Sequence, residues 1–143
     1  METHYQVLSH IIKTIQYRFI KAITGSKEDF GLFRLNEHTR SPNEIVYHMF
    51  DLAAKTKCMI KSGHFDVSSH QLPDFSGETK RFLSELEELQ LVIDSFTIDL
   101  ELSKKLLQGP ILDMVTHIGQ ISMLNGLHGN KIQKESYYNA DIK

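Results

Sequence analysis

At 143 residues the chain has the length of one domain, and 41% hydrophobic with 24% charged residues is the balance of a globular protein, not a disordered one. A net charge of −2 leaves no basic face for nucleic acid, and no apolar run approaches the roughly 18 residues that span a bilayer. Cys58 is the single cysteine, which rules out an internal disulfide and fits a reducing cytoplasm, and the opening Met1-Glu2-Thr3-His4 has no basic stretch leading an apolar one, so no signal peptide is expected.

Helical period dominates the chain. Leu8, Ile11, Ile12, Ile15, Phe19 and Ile23 recur at three- and four-residue spacing, which predicts a helix from about residue 3 to 24, closed by Gly25-Ser26. Residues 26–40 keep no period and read as a long connection. Ser41 is then a good N-cap, Pro42 suits the first helical position, and Glu44 completes a capping box. The stripe continues through Ile45, His48, Met49, Leu52, Thr56, Met59 and Ile60 to a stop at Ser62-Gly63. Residues 64–77, with Pro73 and Gly77, read as a second long connection. Phe82, Leu86, Leu89, Ile93 and Phe96 mark a third helix, whose Glu85, Glu87 and Glu88 read as a solvated face. Residues 97–108 read as a turn and a short helix. Gly109-Pro110 is expected to start a fourth long helix that ends near His128, with Gly129 as its C′ residue. No segment reads as strand or repeat. The expectation is an all-α single domain over residues 1–143, a four-helix bundle with long crossover-type connections, since an up-down-up-down bundle needs only short loops.

Two helices carry chemistry. His48 shares the apolar stripe of the second, and Asp113-x-x-x-His117 lies on the fourth, leading into Gly119-Gln120. Residues four apart lie one turn apart on one helix face, so Asp113 and His117 can chelate one ion, with Gln120 near the same face as a supporting group. A buried neutral imidazole needs a partner, and an isolated carboxylate in a core is prohibitive unless paired or bound to a cation. Two imidazoles and a carboxylate suit Zn, Ni, Mn or Fe as the divalent ion and leave coordination positions open. The spacing by itself is weak. Glu44-x-x-x-His48 shares it, Asp113 also complements a helix dipole in the first turn, and His48 can be a core histidine bonded to a carbonyl.

Other candidates are weaker. Cys58, ten residues beyond His48, turns away from that face and reads as a packed thiol. His64 and His70 fall in a connection, and His4, His10, His38 and His128 read as surface or boundary residues. Gly119 and Gly126 share a helix face and would permit close approach of a helix within the bundle or across a dimer. There is no phosphate-binding glycine loop, no G-x-S-x-G element and no zinc-finger spacing.

Three stretches carry a family resemblance. They are Ser41-Pro42-Asn43-Glu44-Ile45 leading to Tyr47-His48-Met49, then Gly109 to Leu124 with its Thr116-His117-Ile118-Gly119-Gln120 element, and the tail from Gly129 through Glu135 and Tyr137-Tyr138 to Ile142. Together the chain resembles the DinB-like superfamily of bacterial four-helix proteins, the damage-inducible and YfiT-type group. The resemblance implies a bundle of crossover order, homodimers, and a divalent metal held by three histidines. His48 and His117 match two of those positions, and Asp113 stands where the third is commonly histidine. Ile118 stands where an arginine is frequent. The activity implied is that of a metal-dependent thiol S-transferase, joining a low-molecular-weight thiol cofactor to a small-molecule electrophile. A metal-dependent hydrolase and a non-catalytic dimeric stress-response module are the alternatives. No nucleic-acid or membrane partner is expected.

Overall fold

Five α-helices carry the fold of this computed structural model, which describes residues 3–143: α1 (Thr3–Ile23), α2 (Pro42–Ser62), α3 (Phe75–Ser95), α4 (Leu100–Leu106) and α5 (Leu112–Leu127). Short 3-10 turns lie at Phe30–Leu32 and Tyr137–Asn139, and no strand is present among the described residues. Met1 and Glu2, with the leader reading that rests on them, lie outside that range.

Each long helix turns a periodic apolar face inward. Leu8, Ile12, Ile15, Phe19 and Ala22 of α1 are buried, as are Ile45, Val46, Met49 and Ala53 of α2 and Phe82, Leu86, Leu89 and Ile93 of α3. Phe19 and Phe82 meet edge to face at 4.8 Å, both fully buried. Burying a side chain of this size contributes roughly 1.5–3 kcal/mol, so these faces hold the bundle together. At the start of α2 the capping box is made as expected: Glu44 N donates to Ser41 Oγ at 3.3 Å and Ser41 N to Glu44 Oε1 at 3.0 Å. Gly63 and Gly129 both adopt left-handed backbone where helices stop.

α1 and α2 each pack against α3 and α5, which puts α1 and α2 at opposite corners of the bundle. The chain must therefore cross one end of the bundle between them, and that crossing is the connection the missing period at 26–40 foretold. Phe30 pins it, buried against Phe75 at 5.4 Å and against His128 at 5.8 Å. Gly31 lets it press on α2, because a Cβ there would stand 2.4 Å from Asn43 Oδ1 and 2.7 Å from Phe75 Cβ.

Two boundaries differ from expectation. α3 begins at Phe75, not after Gly77, because Asp74 caps it and accepts from Gly77 N at 2.6 Å. The cap offsets the low helix propensity of Gly77. Gly109-Pro110 does not start a helix. The chain runs from α4 through a π turn, Leu107–Ile111, straight into α5, and Leu112 N donates to Leu107 O five residues back. A proline lacks its own N–H and crowds the carbonyl four residues back; the wider π turn gives that carbonyl room. The turn also sets the phase of α5. Met114, Ile118, Ile121 and Leu124 face the core, and His117 lies on the flank toward α2.

The tail folds back on α1. Glu135 accepts from Tyr17 Oη at 2.8 Å and pairs with Lys21 Nζ at 2.9 Å, while Arg18 lies 4.0 Å over the Tyr137 ring. No helix among the described residues is long and apolar enough to cross a membrane.

Candidate metal centre

His48 sits half-buried on α2 between buried Ile45 and Met49, and His117 is half-buried on α5 beside buried Met114 and Ile118. Because α2 and α5 are neighbours, the two imidazoles meet across their seam, with ring centroids 4.8 Å apart and planes at 81°. The pairing has a definite proton arrangement. His117 Nδ1 lies 2.8 Å from Gln120 Oε1, and an amide oxygen only accepts, so Nδ1 carries the proton. His117 Nε2 is then a bare lone pair. A histidine that ligates a metal through one nitrogen commonly has its other nitrogen held in this way.

Burial lowers the pKa of His48 from the usual histidine value, with Arg40 and His117 adding to the effect and Asp51 and Asp113 opposing it. Neutral imidazole is the form that binds a metal.

Asp113 stands apart from this pair. It is exposed, which corrects the expectation of a carboxylate inside the core, and so it carries no burial penalty that a metal would need to relieve. Its charge reaches His48, yet no three His, Cys, Asp or Glu side chains among the described residues are gathered closely enough to hold an ion. Asp113 lies in the first turn of α5, one turn before His117, where a carboxylate complements the helix dipole in solvent.

The remaining residues fall outside the seam. Cys58 is half-buried on α2 with Sγ 3.7 Å from His64 Nδ1 and 3.6 Å from Asp66 O. His10, His38 and His70 are exposed, while His4 bonds Ile98 O at 2.8 Å and His128 packs 4.8 Å from Phe33. Gly119 and Gly126 are exposed, and a Cβ on either would meet nothing, so neither brings a helix close within the chain.

A cavity of about 250 Å³ opens between the crossing connection, α2 and α5. Leu35 from the crossing connection, Ile45 of α2, and Met123 and Leu124 of α5 give it apolar walls, and Arg40 and Gln120 stand at it. Ile45 is one turn from His48, and Gln120 is the partner of His117, so the cavity lies about one helical turn from the imidazoles, neither of which lines it. Arg40 gave no signal in the sequence, since it lies in an aperiodic connection.

Compared with family models, with curated proteins and with solved structures, the chain matches none.

Proposed function

We propose that the chain is a divalent-metal-dependent catalyst of the DinB-like type, with His48 and His117 as ligands and Asp113 as the third after its side chain rotates inward. The observation that carries this reading is the meeting of two imidazoles from separate helices, one of them with its proton fixed on the far nitrogen by Gln120. Two neutral histidines and a carboxylate are a donor set for Zn, Ni, Mn or Fe. When bound, such an ion lowers the pKa of a coordinated water or thiol and makes a nucleophile near neutral pH.

The chain's own residues do the rest. Gln120 sets the tautomer and orientation of His117. Burial lowers the pKa of His48, which favours the metal-binding form. The crossing connection walls the adjoining cavity, where a small electrophile would sit beside the seam. By resemblance, a low-molecular-weight thiol S-transferase working as a cytoplasmic homodimer is the activity we favour, with metal-assisted hydrolysis as its nearest alternative.

His117→Ala should abolish metal retention. Gln120→Leu should weaken metal affinity by roughly 10–100-fold through loss of the orienting bond. A His117→Ala protein that keeps stoichiometric metal overturns the ligand assignment. Conjugation assays with thiol and electrophile panels then separate the reactions: a thioether product marks a transferase, and cleavage without added thiol marks a hydrolase. The exposed position of Asp113 favours a second reading, a non-catalytic binding module, in which EDTA leaves the melting temperature unchanged.

A further inference from the structure

Three of the chain's arginines are occupied. Arg34 bonds Glu44 and Thr39 O, Arg81 bonds Glu78 and His70 O, and Arg18 stacks on Tyr137. Arg40 has no hydrogen-bonded or ion-paired partner among the described residues, though it stands at the cavity beside the imidazole seam. A second donor is close by. Gln120 spends its oxygen on His117, which leaves its amide NH₂ group without a partner at the same wall. Thr39, also at the cavity, already donates its hydroxyl to Asn36 O at 3.1 Å and supplies no donor.

We propose that this cavity binds a small apolar carboxylic acid, its carboxylate on Arg40 and its hydrocarbon end between Leu35, Ile45, Met123 and Leu124. The guanidinium fork matches a carboxylate in a two-point contact. A phosphate group carries more charge and commonly gathers several cationic or backbone donors, and here there is one free cation among the described residues at the cavity. Size sets the other limit. A cavity of about 150 Å³ accepts benzene, so about 250 Å³ takes one ring or a chain of roughly six carbons. The inference rests on the reading above for what the seam does to the ligand, and it deepens that reading by naming the ligand class.

The test is an NMR titration of the full chain at pH 7 in EDTA. The probes are hexanoate and 3-phenylpropanoate, each against its neutral amide. The acids should bind roughly tenfold more tightly than the amides, with shifts at the Met123 methyl and the Leu35, Ile45 and Leu124 amides. Arg40→Gln should erase the preference for acid, and Arg40→Lys should restore part of it; Arg40 is exposed, so neither change removes a packed group. Equal affinity for acid and amide, shifts confined to another surface, or a preference that survives Arg40→Gln would each overturn the proposal. Metal content of the same proteins is read separately. Acid binding without metal uptake removes the metal reading and keeps this one, and metal uptake without acid preference does the reverse.

Discussion

Glu44 shows how much one side chain does here. Its carboxylate closes the capping box on Ser41 and also bonds Arg34, which holds the crossing connection beside the cavity. The bond from the Ser41 backbone N–H is the main cause of its lowered pKa, with Arg34 and Arg40 adding to it. Its folded pKa lies below the unfolded value of 4.5, so its stabilisation is present above about pH 4.5 and is lost as pH falls through the folded value. Glu44→Ala should cost about 1 kcal/mol at pH 7 in urea unfolding, and the gap to the parent should narrow at pH 3.5. A gap that stays constant between those pH values would mean the carboxylate charge has no part in it. The capping box was legible because its residue types and spacing are local. The convergence of His48 and His117 was legible in outline because helix period fixes facing. The exposure of Asp113 was not legible because a period does not separate a core position from a flank, and Arg40 was invisible because its connection has no period.

The π turn is the element on which the site depends. In the sequence Gly109-Pro110 reads as a helix start, since proline commonly begins helices. A widened turn also accommodates proline, and here it keeps α4 and α5 continuous. Deleting Gln108 would take one residue from this turn and rotate α5 by about 100° relative to α4. His117 would then leave the seam, and Met114, Ile118 and Ile121 would lose their places in the core. The deletion should cut the melting temperature by roughly 10 °C or more and abolish metal retention, while Gln108→Ala, at an exposed position, should change neither. A deletion protein that melts with the parent and still holds metal would show that the phase set by this turn is unimportant. The early start of α3 is a smaller case of the same kind, since Asp74 outweighs the helix-weakening Gly77.

Over the whole molecule, the order of the corners decides what can meet. α1 and α2 lie diagonally, so the crossing connection spans one end of the bundle, and α2 gains α5 as a neighbour. That adjacency brings together residues 69 positions apart in sequence, His48 and His117, and lays the connection over a cavity next to them. Long unpatterned connections foretold a crossing, and the helical stripes foretold the bundle. Which corners adjoin was not written in any single stretch, because it follows from all four faces packing at once. The proposed metal site at this seam is open to direct measurement. Elemental analysis by ICP-MS of untagged protein, purified without chelator or a nickel column and then dialysed against Zn²⁺, Ni²⁺ or Mn²⁺, tests it most directly. Close to one equivalent of metal per chain is expected in the parent and none in His117→Ala, whereas a parent protein that neither carries metal nor takes any up would show that the seam is not a metal centre.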